Sequence, residues 1–463
     1  LKSVASRFYT IEYWLGYRTG QMAMMADPSG ALALPEVWEC LTGLLGLDAL
    51  VAVSAASPAC FEHVRCDDES WKRCYSFRCS TCPDSIAKGC WRQAFIMAAK
   101  NTEESNRCWC REDQNLSTRH KLIFQSFVRS WASDGRTLVA GEYDGRLQPL
   151  DWSTETIGAP FQGRHNDEVV CVDLNQEHVL SGSGDPGYYN RPASDSSVKL
   201  WRRRDGALLG TSNHHRDTVR AVSLFPADSA FSNYGISVSM DCCLCLHSLS
   251  PFRVLRTVRM DGPCRSLKII ESPRAHLCAG IAPEIRLFAS TGSQVCGFSL
   301  CFEGRGQPDL FETEDVEIRW DVSSLACHTA VSFWEHASIR HHFPNRFLDL
   351  DSFTLAGGTT DGRVWAARVR DGSPSVVSIS LTRGRQRGPA DVVSVQLLDA
   401  CRMLAVSRQG LLALVSWAAS SDMQVVWAVS GLRMYVSTIG LRGPQLLVSD
   451  GFDNAICAIS CGA

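Results

Sequence analysis

The sequence predicts an all-β propeller of seven blades that is preceded by a small all-α module. Two observations lead to this fold class. From about Lys121 onward, units of about 40–50 residues that are rich in short β-strands recur along the chain, and this is the period of a propeller blade. Before that point, apolar residues recur instead at the spacing of an amphipathic helix. The helical part and the β part are therefore expected to be separate domains.

Composition favours a folded interaction protein. Of 463 residues, 45% are hydrophobic and 21% are charged, and the net charge of −3 argues against a protein built to hold nucleic acid or an anionic membrane. No apolar run approaches the length of a membrane span. Residues 1–20 lack the zones of a signal peptide, and residues 1–30 are expected to be an unstructured extension. The 21 cysteines are scattered rather than paired, which favours reduced thiols in the cytosol or nucleus.

The segment Ala31–Tyr75 predicts three or four short helices. Pro35 suits a first helical turn, and one apolar stripe follows at helical spacing. Ser57 and Pro58 suit the N-cap and first position of a later helix. So small a module leaves apolar surface uncovered, which favours docking on a partner. The alternative is a plain helical cap on the next domain.

This module resembles an F-box. The resemblance is carried by Leu34-Pro35, by Leu47-Asp48 with Leu50, and by Trp71 followed by Lys72-Arg73. It places the F-box-like module at 31–78 and a helical connector at 79–118. F-boxes dock on the Skp-type adaptor of cullin-based ubiquitin ligases through their first helices. The resemblance therefore implies an adaptor contact made by Leu34, Pro35, Val37, Leu41 and Leu44.

A cysteine-rich stretch follows, with Cys74, Cys79, Cys82 and Cys90. Four thiolates can hold zinc in a tetrahedral site, but this spacing lacks the two CxxC pairs of a strong zinc signature. We expect no zinc and no other cofactor.

One blade is especially clear in the sequence. It runs from "HNDEVVCVDL" through "VLSGS" to "VKLW", and it resembles a WD repeat. In WD-repeat proteins, a His, a Ser, an Asp and a Trp form a buried hydrogen-bond chain inside one blade. The resemblance gives this structural role to His165, Ser181, Asp195 and Trp201.

Weaker units bring the predicted number of blades to seven, within a propeller domain at 119–463. Closure of the ring requires that no sheet edge be left free, so we expect the strand near Leu122–Phe124 to complete the last blade beside Ala455–Ser460. Residues 302–345 fit no blade pattern. They are predicted to be an insertion, with a degenerate eighth blade as the alternative.

Three arginines occupy the same repeat position when the blades are aligned on their first strand. The aligned stretches are "VRSW", "VRAV" and "CRSL", and they place Arg129, Arg220 and Arg265 at the mouth of the central channel. The remaining early blade has Val170 there. Each arginine alone could reach solvent or pair with a local acid such as Asp217. Three in register favour a site for phosphate or carboxylate, because guanidinium groups bind these anions bidentately.

These features together predict a non-catalytic protein. In several F-box/WD-repeat proteins, arginines at this strand position hold the acidic or phosphorylated degron of a substrate. The resemblance thus implies the substrate receptor of a cullin-based ubiquitin ligase, with an adaptor and a target protein as partners. A WD-repeat scaffold for another assembly is the alternative. The "HRD" at His215–Asp217 lacks the other kinase motifs, and the basic run Arg202–Arg204 is predicted to be a solvated turn on the opposite face.

Overall fold

The computed structural model describes residues 116–463 except 135, 153, 186–193, 226–228, 230, 272–283, 292–293, 303–307, 320–327, 336–351, 360, 371–372, 382–391, 400, 409, 418–422, 430–438, 443–444, 451–452 and 462–463. The F-box-like module, the cysteine-rich stretch and nearly all of the predicted connector lie outside the described residues. Within the described part of the chain, no helix is long and apolar enough to cross a membrane.

The described residues form a seven-bladed β-propeller in which each blade is a four-stranded antiparallel sheet. Blade 1 consists of β2 (Val128–Ser133), β3 (Thr137–Glu142), β4 (Leu147–Asp151) and β5 (Thr156–Ile157). Blade 2 consists of β6 (Val169–Leu174), β7 (His178–Ser183), β8 (Val198–Arg202) and β9 (Leu208–Ser212). Blade 3 consists of β10 (Val219–Leu224), β11 (Tyr234–Ser239), β12 (Cys243–Leu249) and β13 (Phe252–Arg259).

The remaining blades repeat the same order of strands. Blade 4 consists of β14 (Cys264–Glu271), β15 (Glu284–Thr291), β16 (Gln294–Phe302) and β17 (Pro308–Arg319). Blade 5 consists of β18 (His328–Glu335), β19 (Ser352–Thr359), β20 (Arg363–Arg370) and β21 (Ser373–Ser380). Blade 6 consists of β22 (Val392–Asp399), β23 (Arg402–Ser407), β24 (Leu412–Ser416) and β25 (Gln424–Val429). Blade 7 consists of β26 (Ile439–Arg442), β27 (Gln445–Asp450), β28 (Ala455–Cys461) and β1 (Leu116–Ile123).

The ring is closed by a strand from the start of the propeller. Strand β1 pairs antiparallel with β28, and Leu122 lies opposite Ile456. The Phe124 N–H extends this pairing by donating to the Asn454 carbonyl oxygen at 2.7 Å. The predicted closure is confirmed: β1 covers the edge of β28 and joins the two ends of the propeller within one sheet.

The hydrophobic core lies between neighbouring blades. Blade 1 packs on blade 7, for example, through Leu138 and Ala140 against Leu447 and Ile456. Because both faces of a sheet are covered in this way, the middle strands are almost continuously buried. Strand β3, "TLVAGE", is buried at every residue after the first.

Small residues allow the inner strand of each blade to approach its neighbour. A Cβ atom on Gly141 would lie 2.5 Å from the side chain of Val169, and one on Gly182 would lie 2.4 Å from that of Val219. Real Cβ contacts are never so short. These glycines therefore set the spacing of blades 1, 2 and 3 around the channel.

The prediction of an insertion at 302–345 is wrong for the residues that the structure describes there. Strand β17 is the outer strand of blade 4, and it pairs with β16. Strand β18 is the first strand of blade 5, and it pairs with β19. No eighth blade is formed by these strands, because both belong to four-stranded sheets of the seven-membered ring.

Candidate functional site

The first strands of blades 1 to 7 contact one another in order around the central channel, and the first strand of blade 1, β2, contacts β27 of blade 7. We call these strands (β2, β6, β10, β14, β18, β22 and β26) the inner strands. The end of the channel at which blades 1–4 begin their inner strands is called the channel mouth. The residues that open β2, β6, β10 and β14 are Val128, Val169, Val219 and Cys264, and all four are fully buried. Buried first residues fix where each strand begins, and so they fix the position of the residue that follows.

That following residue lies in a β-bulge in all four blades. The pairing register shifts between Val128 and Ser130, between Val169 and Cys171, between Val219 and Ala221, and between Cys264 and Leu267. The residues displaced from the ladder are Arg129, Val170 and Arg220 in blades 1 to 3, and Arg265 together with Ser266 in blade 4. A bulge bends the strand and changes the direction of the side chain that it releases. The structure therefore presents the three predicted arginines from one repeated backbone feature.

Arg129 and Arg265 both lie close enough to Arg220 to affect its ionisation. Burial lowers the pKa of Arg220 to about 10, and the like charges of Arg265 and Arg129 add to this effect. Arg220 still carries its proton at neutral pH, so the channel mouth holds a concentrated positive charge. The structure thus places Arg129 and Arg265 near Arg220, and the role of the three arginines in binding stays a prediction.

Their charges are compensated unequally, which the sequence did not predict. The Nε atom of Arg129 lies 2.6 Å from Glu168 Oε2, and the two side chains are only 8% and 5% exposed. The guanidinium of Arg129 also lies over the ring of Phe127, with 5.4 Å between Cζ and the ring centroid. Within the part of the chain that the structure describes, the side chains of Arg220 and Arg265 have no hydrogen-bond acceptor, and Arg265 Nε is buried.

Glu168 is the member of this charged cluster that the sequence analysis does not predict. Burial raises its pKa to about 7, Arg129 opposes that shift, and the nearby carboxylates of Asp167 and Asp185 add to it. Its position in the sequence offered one signal. Blade 2 is the early blade that lacks the arginine, and it carries an acid immediately before its inner strand instead.

A second charged pair lies farther along the inner strands. The carboxylate of Asp173 accepts hydrogen bonds from the N–H groups of Leu174 and Leu224 at 2.9 and 2.8 Å and from Ser223 Oγ at 3.1 Å. Lys268 of blade 4 is exposed, yet desolvation by the surrounding protein lowers its pKa and the charge of Asp173 opposes this. Asp173 stands on the inner strand of blade 2 and Lys268 on that of blade 4. The interaction of their charges therefore links two blades that are not neighbours in the ring.

The polar chain predicted in blade 2 is confirmed. The His165 Nε2 atom lies 2.7 Å from Ser181 Oγ, and Trp201 Nε1 donates to the same hydroxyl oxygen at 2.8 Å. On the other side of the ring, His165 Nδ1 lies 3.4 Å from Asp195 Oδ2. These groups connect the start of the blade to its second and third strands.

Blade 3 contains a variant of this chain in which histidine replaces tryptophan. Asp241 Oδ2 lies 3.0 Å from His215 Nδ1, and Ser237 Oγ lies 2.8 Å from His215 Nε2. His247 Nε2 lies 2.7 Å from the same hydroxyl. An Asp–His–Ser order resembles a hydrolase triad, but Ser237 is fully buried and hydrogen-bonded on both sides. The arrangement stabilises the blade and leaves no exposed nucleophile at this position.

Acid is expected to destabilise the propeller through His247. Burial lowers its pKa to about 3, whereas the unfolded chain has a histidine pKa of about 6.5. The unfolded state therefore binds more protons between these values, so stability is full above about pH 6.5 and falls as the pH drops toward 3. At pH 5 this one group costs about 2 kcal/mol.

The check is chemical denaturation of the wild type and of His247→Gln at pH 7 and pH 5. Glutamine can hydrogen-bond Ser237 but does not ionise. The wild type should lose about 2 kcal/mol more unfolding free energy than the variant over this interval. Equal losses would contradict the assignment to His247.

The basic run Arg202–Arg204 differs from its prediction at one residue. Arg203 is only 17% exposed and pairs with Asp134 of blade 1. It also donates to the Asn175 carbonyl oxygen at 2.9 Å. The prediction of a solvated turn is therefore wrong for Arg203, which joins blades 1 and 2 on the face opposite the channel mouth. Arg204 is 77% exposed and fits the prediction.

The fold and the site together define a seven-bladed β-propeller with a positively charged channel mouth. Comparison of the chain with models of known protein families finds no match. Comparison with curated proteins finds no match either. A propeller of this kind suits a protein-interaction role, because it presents loops and strand ends from several blades on one rigid surface.

Proposed function

We propose that the channel mouth binds a protein segment through an acidic or phosphorylated side chain. One observation carries this proposal: Arg220 and Arg265 occupy bulge positions on adjacent blades and have no acceptor among the described residues. Planar guanidinium groups favour carboxylate and phosphate because they donate two parallel hydrogen bonds. An anion from a partner would supply the acceptors that these two side chains lack.

Phosphate is the better match of the two anions. A phosphate group carries nearly two negative charges and three acceptor oxygens, so it can engage two guanidiniums at once. It would also offset the charges of Arg265 and Arg129, whose repulsion adds to the lowering of the Arg220 pKa by burial. A single carboxylate offers two oxygens and one charge, and it is expected to bind more weakly.

We further propose that the whole chain is the substrate receptor of a cullin-based ubiquitin ligase of the cytosol or nucleus. This larger role rests on the F-box-like pattern of residues 31–78 and on the propeller that follows it. In this role the chain performs no chemistry itself. It would hold a Skp-type adaptor through the helical module and a target protein through the propeller. The alternative is a propeller scaffold of another assembly, with the same anion site.

A peptide-array experiment tests the binding role. The full chain is incubated with matched libraries of phosphorylated, acidic and neutral peptides, and the bound members are identified. We expect phosphorylated peptides to be enriched over their unphosphorylated counterparts, with acidic peptides between the two. Equal recovery of all three classes would argue against an anion site at the channel mouth.

A further inference from the structure

The Arg129–Glu168 pair places an internal acid inside the proposed anion site. Glu168 belongs to the loop that leads into blade 2, whereas Arg129 stands on the inner strand of blade 1. The 2.6 Å separation of Nε and Oε2 leaves no room for a second anion between them. A partner's anion that accepts a hydrogen bond from the Nε of Arg129 must therefore take the place of Glu168 Oε2.

The charged groups around Glu168 make its ionisation sensitive to an incoming anion. Arg129 and Arg220 carry the positive charges that act on it, and Asp167 and Asp185 carry the negative ones. Asp167 is held in place by the N–H and the hydroxyl of Ser194, at 3.1 and 2.9 Å. A partner's phosphate beside Arg220 would add further negative charge close to a carboxylate that is already buried.

We propose that Glu168 is an internal counter-ion that competes with the partner's anionic group for Arg129. While Glu168 is ionised, the anion has Arg220 and Arg265 available. When Glu168 takes up a proton, Arg129 becomes the third donor. This regulation rests on the proposed function of the channel mouth as an anion site.

Binding of an anion is then coupled to uptake of one proton. The proton comes from solvent and goes to the carboxylate of Glu168, while every guanidinium keeps its charge. Since burial raises the pKa of this carboxyl to about 7, the coupling acts between about pH 6 and pH 8. By linkage, affinity should fall by up to about tenfold per pH unit above 7 and level off below it.

Inorganic sulfate is the probe for this coupling, because its charge is constant over the whole pH range and phosphate's is not. Binding of sulfate to the full chain is measured by calorimetry at pH 6 and pH 8. Chloride makes up the rest of the salt, so that the ionic strength stays constant. Wild-type affinity should fall about tenfold between these pH values. In Glu168→Gln, which keeps the size of the side chain, the affinities at the two pH values should be equal.

Proton uptake gives a second measurement that needs no variant. Calorimetry at pH 8 in two buffers of different ionisation enthalpy should show close to one proton bound per sulfate by the wild type. No proton uptake by the wild type would overturn the role of Glu168 even if the variant failed to fold.

Two further variants distinguish failure of the Glu168 competition from failure of the anion site on which it rests. Sulfate binding that is unchanged in both Arg220→Ala and Arg265→Ala would overturn the anion site itself. Binding that depends on these arginines, but has the same pH dependence in the wild type and Glu168→Gln, would overturn only the competition by Glu168. Arg204→Ala, on the exposed turn of the opposite face, is the control and should bind like the wild type.

Discussion

Replacing Arg220 with alanine is expected to weaken binding of a phosphorylated segment by roughly ten- to a hundredfold. A charge-assisted hydrogen bond contributes about 1.5–3 kcal/mol, and Arg220 stands electrostatically between the other two arginines. Arg265→Ala should have an effect of the same size. Titration of a peptide selected on the array, with the melting temperature of each variant recorded beside it, measures these effects.

Substitutions by lysine distinguish charge from geometry at the same positions. Lysine keeps the positive charge but loses the planar pair of donors, so it should restore only part of the affinity. The binding constant should also decrease as salt is raised, since charge attraction contributes to it. Arg204→Ala is the matched control. A peptide that binds Arg220→Ala and Arg265→Ala like the wild type, with both variants folded, would refute the site.

Arg129→Ala should behave differently from the other two. It leaves Glu168 in a buried position without its cation, and an uncompensated buried charge is destabilising. The raised pKa of Glu168 limits this cost near neutral pH, because the carboxyl can take up a proton. We therefore expect Arg129→Ala to lower the melting temperature, compared with the wild type, by more at pH 8 than at pH 6. Its loss of affinity for the peptide should be smaller than that of Arg220→Ala.

The double substitution Leu41→Asp with Leu44→Asp is expected to abolish binding of a Skp-type adaptor. Two carboxylates would have to lose water in an apolar contact, so affinity should fall by more than about a hundredfold. The full chain is co-expressed with the adaptor, and the amount that co-purifies is measured. This prediction rests only on the sequence pattern of residues 31–78.

The control is a leucine-to-aspartate substitution outside the helical module. Leu209 lies on the outer strand of blade 2 and is 40% exposed, so Leu209→Asp should leave the adaptor bound. Undiminished binding by the double variant, or none by the wild type, would exclude the ubiquitin-ligase role. It would leave the channel mouth as the site of a propeller scaffold.

Most of the propeller could be predicted from the sequence because each blade repeats the same environment. Middle strands such as "VLSGS" are covered on both faces, so their apolar residues recur with every blade. Outer strands lack this signal, because they are partly exposed; strand β13 alternates between exposed and half-buried residues along its length. The outer strand Pro308–Arg319, "PDLFETEDVEIR", is rich in acids and lacks the apolar pattern of a blade, so the sequence predicts an insertion where the structure has a strand.

The sequence by itself determined the repeat, the closure of the ring and the register that brings Arg129, Arg220 and Arg265 to one place. A residue at a fixed position in a repeated strand lies at a fixed height in the channel, so alignment alone locates it. Only the tertiary structure decided which charges are compensated. Glu168 reaches Arg129 from the neighbouring blade, two residues before the repeat position of the arginines, and Arg203 reaches Asp134 across the same pair of blades. Such pairs depend on distances between atoms that are far apart in the chain, and the repeat pattern carries no information about those distances.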